Sequence, residues 1–193
     1  MKEFDFSVEV CLGYHCYGGG EYTEGEGSIQ LEDEQVDRLV SLIRSSGGVT
    51  DIDELDLEHK CPDIYEALEE AAGKAAREAS YRHWLIQGYE GGYFEEPDGL
   101  MEALEAAGLF KYEPQESEDG DEEFYDEEDE EDAKDEAFCE WLDTYFESLT
   151  EKEQAEFIET YYPNEALDCG SDFYEMSFGI PQGIIDLAKE AKG

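Results

Sequence analysis

The sequence predicts an α+β fold in which a small antiparallel sheet packs against several helices. The first 31 residues alternate apolar and polar side chains on both sides of a glycine-rich turn, as a β-hairpin does. Several later segments repeat apolar residues at helical spacing. A sheet with one apolar face must bury that face against another layer, which the predicted helices would provide.

The predicted hairpin lies at the N terminus. Residues 4–12 carry an apolar side chain at every second position, and these are Phe4, Phe6, Val8, Val10 and Leu12. This period of two predicts a strand with one buried face. Residues 17–21 form the turn, and a second strand ends near Leu31. Gly25 and Gly27 in that strand predict either a bulge or a close approach by another element.

Four helical segments follow the hairpin. The first begins with three acidic residues, which the positive end of the helix dipole favours, and ends at a pair of glycines. A short helix is predicted over residues 51–60. The third begins at Pro62, is long, and has many alanines on its inner face, which predicts that another element packs closely there. The fourth begins at Pro97 and ends near Gly108.

A second group of elements follows an acidic run. An amphipathic helix carries Phe138 and Trp141, and a second helix begins with a capping box formed by Thr150 and Glu153. Alternating apolar residues within 172–178 predict a third strand, and a last helix begins at Pro181.

These elements suggest a division of the chain into three parts. Residues 1–112 form an α+β domain, residues 113–134 a long acidic linker, and residues 135–193 a mainly helical segment. The sequence leaves open whether the last segment packs on the first domain. The linker overlaps a run, residues 116–136, in which 15 of 21 residues are acidic and Lys134 is the only base. Like charges repel, so we expect this run to stay solvated unless a cation neutralises it.

The charge of the chain restricts its partners. The chain has 55 Asp and Glu residues against 12 Lys and Arg, and its formal net charge is −43. Without the acidic run, 40 acids and 11 bases remain in 172 residues, so the folded surfaces are acidic as well. Contacts with phosphates require Lys and Arg, which argues against direct binding to nucleic acid or to an anionic membrane. The expected partner is a basic protein, one that itself binds nucleic acid.

The sequence also predicts a cytoplasmic protein with reduced thiols. Its first residues lack the apolar stretch of a secretory signal, and no run of about 18 apolar residues occurs. The five cysteines are odd in number and irregularly spaced.

No metal or other cofactor is predicted. Cysteine and histidine cluster in two short segments, but their spacing does not match the common zinc sites; the residues are Cys11, His15, Cys16, His59 and Cys61. The acidic residues 119–125 lack the central glycine of a calcium-binding EF-hand loop.

No catalytic residue is predicted either. The chain contains no nucleophile elbow, no P-loop and no H-E-x-x-H motif, and its three histidines are scattered. An enzyme of an unrecognised class remains an alternative.

The positive prediction is electrostatic. Acidic residues recur at positions i, i+3 and i+4 of several predicted helices, as at Glu66, Glu69 and Glu70, which spaces carboxylates about 5–6 Å apart. In size and charge the chain resembles DNA-mimic inhibitors of the anti-restriction and anti-CRISPR type. This resemblance implies that the chain occupies the basic groove of a nucleic-acid-handling protein and inhibits it.

We expect the partner to contact the acidic run, with Phe124 and Tyr125 as aromatic anchors among the charges. The predicted contact residues are Glu116, Glu118, Asp119, Asp121, Glu122, Glu123, Phe124, Tyr125, Asp126, Glu127, Glu128, Asp129, Glu130, Glu131 and Asp132.

Two other interpretations of the charge stay open. The chain could be an immunity-type or chaperone-type protein that holds a single basic partner. The run could also be only a solvated linker, with an acidic surface that maintains solubility. The sequence predicts no oligomeric state.

Overall fold

A computed structural model describes residues 1–14, 20–113 and 127–190. The described residues form an α+β fold with a three-stranded antiparallel sheet, as the sequence predicts. They divide into two compact units. The first, here called the sheet unit, contains the described residues of 1–84 and 169–193. The second, the helical unit, contains the described residues of 85–168.

The sheet has the strand order β2-β1-β3. Strand β1 (Lys2–Tyr14) pairs with β2 (Gly20–Leu31) to form the predicted hairpin, and with β3 (Glu175–Phe178) on its other side. The third strand predicted within residues 172–178 is therefore confirmed. The register of the hairpin is regular from the Lys2–Leu31 pair to the Cys11–Tyr22 pair and shifts between Cys11 and Gly13.

Helices cover one face of this sheet. They are α1 (Asp33–Ser45), α2 (Ile52–Leu55), α3 (Leu57–Lys60), α4 (Pro62–Glu90, of which residues 62–84 belong to the sheet unit) and α9 (Gln182–Glu190). The alternating apolar residues of β1 and β2 pack against them in one core, whose fully buried members include Val8, Leu31, Leu39, Leu68 and Ile184. Arg44 joins α1 to α9, because its guanidinium donates hydrogen bonds to the carbonyls of Leu187 and Ala188 at 2.7 and 3.1 Å.

Helix α4 packs closely on the two glycines of β2. A Cβ atom at Gly25 would lie 2.8 Å from the Ala75 carbonyl oxygen, and one at Gly27 would lie 3.1 Å from the Ala75 Cβ. Both glycines keep regular register opposite Val8 and Phe6. Of the two predictions for these glycines, close approach is therefore correct, and the irregularity of the hairpin lies in β1 instead.

The helical unit contains the end of α4 together with α5 (Leu100–Ala106), α6 (Glu127–Ser148), α7 (Glu151–Tyr161) and α8 (Pro163–Asp168). Its core is rich in aromatic rings. The centroids of Tyr89 and Phe146 are 4.1 Å apart, and Phe110 lies 5.1 Å from both Phe138 and Trp141. The predicted capping box at the start of α7 is present, with the Thr150 amide donating to the Glu153 carboxylate at 2.9 Å.

Two predicted helices differ from those observed. The short helix over residues 51–60 is two helices, because Asp56 adopts a left-handed conformation with φ 56° that ends α2. The helix predicted from Pro97 begins at Leu100 instead, after Gly99, which has a φ of 76°. Both breaks depend on a local positive φ that apolar periodicity does not report.

The predicted domain boundaries at residues 112 and 134 both fall within the helical unit. Most of the predicted linker lies outside the described residues, and residues 127–134 belong to α6. The three-part division stays a prediction. In the part of the chain that the structure describes, no helix is long and apolar enough to span a membrane.

Candidate interaction surface

The predicted contact residues fall into two groups. Those from Glu116 to Asp126, including the proposed anchors Phe124 and Tyr125, lie outside the described residues. Those from Glu127 to Asp132 lie in the first two turns of α6, where Glu131 and Asp132 are exposed. Contact between the acidic run and a partner therefore stays a prediction.

The one base of the acidic run bonds within the helical unit. The Lys134 ammonium lies 2.9 Å from the Glu105 carboxylate of α5, and both side chains are about two-thirds buried, with exposed fractions of 32% and 34%. The hydrogen bond to Glu105 raises the pKa of Lys134. Lys134 thus joins α6 to α5, while the neighbouring acids Glu131, Asp132 and Asp135 stay exposed.

A second acidic surface lies on the sheet, outside the residues predicted to contact a partner. The polar positions of β1 and β2 alternate with the core positions and are exposed on the face that the helices leave open. Five of them are carboxylates, here called the acidic sheet face: Glu3, Asp5, Glu9, Glu24 and Glu26. Among the described strand residues, Lys2 is the one base, and it belongs to the other set of alternating positions.

The strand register fixes the spacing of these carboxylates. Glu9 lies directly opposite Glu24, Ser7 opposite Glu26, and Asp5 opposite Ser28. Side chains directly opposite have Cβ atoms about 4.5–5.5 Å apart, and alternate residues along a strand lie about 6.6–6.8 Å apart. The acidic sheet face thus has carboxylates at five of eight paired positions of the hairpin, and Ser7, Ser28 and Gln30 occupy the other three. Like charges directly opposite each other, such as Glu9 and Glu24, are destabilising.

Two bases of the sheet unit, Arg38 and Lys60, bond within the helical layer, whereas Lys74 and Arg77 of α4 line a groove together with Asp5 and Glu26. Arg38 of α1 pairs with Asp63 at the start of α4, and Gln35 donates a further hydrogen bond of 3.1 Å to the same carboxylate. Hydrogen bonds from Arg38 and Gln35 hold the pKa of Asp63 below its ordinary value. The Lys60 ammonium donates to the Leu55 carbonyl at 2.8 Å. Arg38 and Lys60 thus connect helices and do not neutralise the acidic sheet face.

The described residues give little indication of acid–base chemistry. Carboxyl groups with a displaced pKa are Asp63, Glu113 and Glu153, and hydrogen bonds lower the value in each of them. A carboxylic acid that donates a proton near neutral pH needs the opposite displacement. Burial raises the pKa of Tyr89 and Tyr162, which are linked by a hydrogen bond inside the aromatic core.

Cysteines and histidines are likewise placed for packing and local bonding. Cys11 and Cys61 are buried, whereas His59 is exposed and lies 2.8 Å from the Asp56 carboxylate. His15 and Cys16 lie outside the described residues. Within the described ranges, no group of three or more Cys, His, Asp or Glu side chains is arranged to hold a metal ion.

The acidic sheet face could have been found from the period of two in β1 and β2, which already separates its polar residues from the core. The pairing of Glu9 with Glu24 could not, because it depends on the register. No protein-family model matches the chain, and no curated protein or solved structure shows significant similarity to it.

Proposed function

We propose that this chain is a non-enzymatic acidic binding protein that occupies the basic groove of a nucleic-acid-handling protein and inhibits it. The observation that carries the proposal is the acidic sheet face, where five carboxylates are held in register and no described strand residue of the same alternating set is a base. The acidic run, with its 15 acids, would add a second negative surface.

The mechanism would be electrostatic and steric. Nucleic acid presents regularly spaced negative charges, and the grooves that bind it carry matching Lys and Arg side chains. A protein with fixed rows of carboxylates competes for the same side chains. Because opposite net charges steer diffusion, association should be fast at low ionic strength and should slow as salt is added.

Displacement from DNA tests this proposal. Proteins from a lysate are bound to immobilised DNA at about 0.05 M salt, and the purified chain is then added. We expect it to release particular DNA-bound proteins, and we expect the release to weaken towards about 0.5 M salt. If no protein is released at low salt, the proposal is wrong.

Two variants of equal net charge separate the acidic sheet face from charge in general. The first, Glu9→Gln with Glu24→Gln and Glu26→Gln, removes three charges from that face. The control, Glu140→Gln with Glu147→Gln and Glu159→Gln, removes three exposed charges from α6 and α7. We expect the first variant to release much less protein than the control. Equal release by the two variants would contradict a specific role of the sheet.

Binding of the released proteins to this chain distinguishes the chaperone-type alternative. A DNA mimic and DNA exclude each other from the partner, so excess free DNA should prevent a released protein from binding this chain. A single basic protein that binds this chain equally well in the presence of DNA would instead support a dedicated holding protein.

A further inference from the structure

Strand β2 is an open edge of the sheet. It pairs with β1 along its length, and no other described strand pairs with it. It is 12 residues long, contains no proline, and lies in regular register with β1 up to the Cys11–Tyr22 pair. An edge strand presents unpaired backbone N–H and C=O groups, which can pair with a strand from another chain.

A groove of about 1020 Å³ lies between this part of the hairpin and α4. Consecutive residues 26–30 of β2 form one side. Residues of α4 form the other side of the groove. They are small or charged and recur at helical spacing: Ala67, Glu70, Ala71, Lys74, Ala75, Arg77 and Glu78. The alanines leave room that larger side chains would fill, and Ala67 and Ala71 are only half-buried.

The charges around the groove select its occupant. The groove lining contains four acids, Asp5, Glu26, Glu70 and Glu78, and two bases, Lys74 and Arg77, so carboxylates are in excess. Lys74 lies 3.7 Å from Glu78, and Glu24 is exposed next to the groove on β2. A strand added beside β2 would place alternate side chains about 5 Å from Glu24 and Glu26, where opposite charges stabilise the pair. Its other side chains would face the alanines of α4, where apolar residues of moderate size fit.

We infer that β2 binds an extended basic segment of a partner protein as a fourth strand, in which Lys or Arg alternates with apolar residues. The inference rests on the proposed function, because it specifies how the basic partner is held. Main-chain hydrogen bonds to the edge supply affinity, and the two alternating sets of side chains supply specificity.

A second copy of this chain is a poor occupant of the same edge. Pairing of two β2 strands would bring Glu24 and Glu26 of one copy beside the acidic residues of the other. Each copy also carries a net charge of −43, so the two chains repel each other.

A peptide of alternating Lys and Val, about ten residues long, is a suitable probe because that is near the upper length of ordinary strands. We expect it to bind the full chain one-to-one in fluorescence anisotropy. We also expect amide hydrogen exchange to show new protection at alternate residues of β2, since every second residue of an edge strand directs its N–H outward. Protection at no residue of β2 would overturn the inference.

A matched peptide separates strand pairing from charge attraction. It has the same sequence with every second amide N-methylated, which keeps the charge and removes donors from one edge of the peptide. Since each lost hydrogen bond weakens binding, we expect affinity to fall about tenfold or more in one of the two methylation registers. Equal affinity of the unmethylated peptide and both methylated ones would show that only charge is recognised, and would overturn the inference.

A groove variant adds a test on the protein side. Ala71→Leu extends a side chain into the groove from a half-buried position, and we expect it to weaken the alternating peptide about tenfold. Ala103→Leu, at an exposed position of α5, is the control and should bind as the native chain does. Equal melting temperatures of the two variants would exclude misfolding, and equal affinities would contradict the assignment of the groove.

These outcomes are independent of the DNA displacement experiment. If the chain releases DNA-bound proteins but no peptide protects β2, the proposed function stands and strand addition is wrong. If the isolated chain already shows protection at alternate β2 residues and sediments as a dimer, self-pairing replaces the inferred partner.

Discussion

Some residues on the surface of this protein lower its stability, whereas residues in its interior raise it. Glu9 and Glu24 place like charges directly opposite each other on the open face, which costs about 0.2–1 kcal/mol. Tyr89 and Tyr162 show the reverse, because Tyr162 is buried and Tyr89 half-buried among aromatic rings, and their hydroxyls bond to each other. Charge is concentrated where water surrounds it, and the buried hydroxyls are satisfied.

The Tyr89–Tyr162 pair predicts how stability depends on alkaline pH. Burial, and the hydrogen bond that its hydroxyl donates to Tyr89, raise the pKa of Tyr162, whereas a tyrosine in the unfolded chain ionises near pH 10. The folded state therefore keeps a proton that the unfolded state loses. The stability that this group contributes is complete below about pH 10 and is lost as the pH rises above it.

We expect the free energy of unfolding to fall between about pH 9 and pH 11 less steeply in Tyr162→Phe than in the native chain. Urea titrations at both pH values measure this difference in slope. Tyr93→Phe is the matched control, since Tyr93 is 82% exposed and its removal should leave the slope unchanged. Identical slopes in all three proteins would contradict a raised pKa of Tyr162.

At the scale of elements, the contact between β2 and α4 depends on the absence of a side chain at two positions of the strand. Gly25 and Gly27 allow α4 to approach so closely that a side chain on β2 would meet the helix. The helix contributes alanines at the same place, Ala75 and Ala79 among them. The strand and the helix therefore both contribute small residues to this contact.

Gly25→Ala should destabilise the chain by about 1–3 kcal/mol, because its Cβ would lie 2.8 Å from the Ala75 carbonyl oxygen and the helix must move. Gly179→Ala is the control, since a Cβ there meets no atom within 4 Å. We expect that control to be unchanged or about 0.5 kcal/mol more stable. Chemical denaturation checks both values. Equal stability of the two variants would mean that α4 shifts at no cost.

Elements were predictable where the pattern is strictly periodic. The alternation of Phe4, Phe6 and Val8 fixes the inward-facing set of β1. Gly25 and Gly27 of β2 predict either a bulge or a close approach, of which the close approach is correct. Sequence could not predict the break at Asp56, which depends on one left-handed residue, or the start of α6 among charged residues. It also could not rank the acidic sheet face above other acidic segments, because acids occur almost everywhere in the chain and only the register aligns these five.

Over the whole chain, carboxylates greatly outnumber bases. In the sheet unit, helices cover one face of the sheet, and three of the described bases, Arg38, Arg44 and Lys60, bond within that layer. The open face and the acidic run are left with an excess of carboxylates. A net charge of −43 on 193 residues must therefore act against the compact state through repulsion over the entire surface.

Salt should stabilise this protein. We expect the melting temperature to rise between about 0.05 M and about 0.5 M sodium chloride, because screening weakens the repulsion between carboxylates. The variant that neutralises Glu9, Glu24 and Glu26 should melt higher at low salt and gain less from added salt. Scanning calorimetry measures both. A melting temperature independent of salt would mean that the charges are already compensated locally.

The two-sided alternation of the hairpin has an evolutionary consequence. Each strand position belongs either to the interior or to the exterior, so substitutions on the exterior leave the packing of the interior intact. The chemistry displayed by the sheet can therefore diverge rapidly between related chains while the architecture persists. A few outward substitutions would therefore change the charge of the exposed surface without rebuilding the scaffold beneath it.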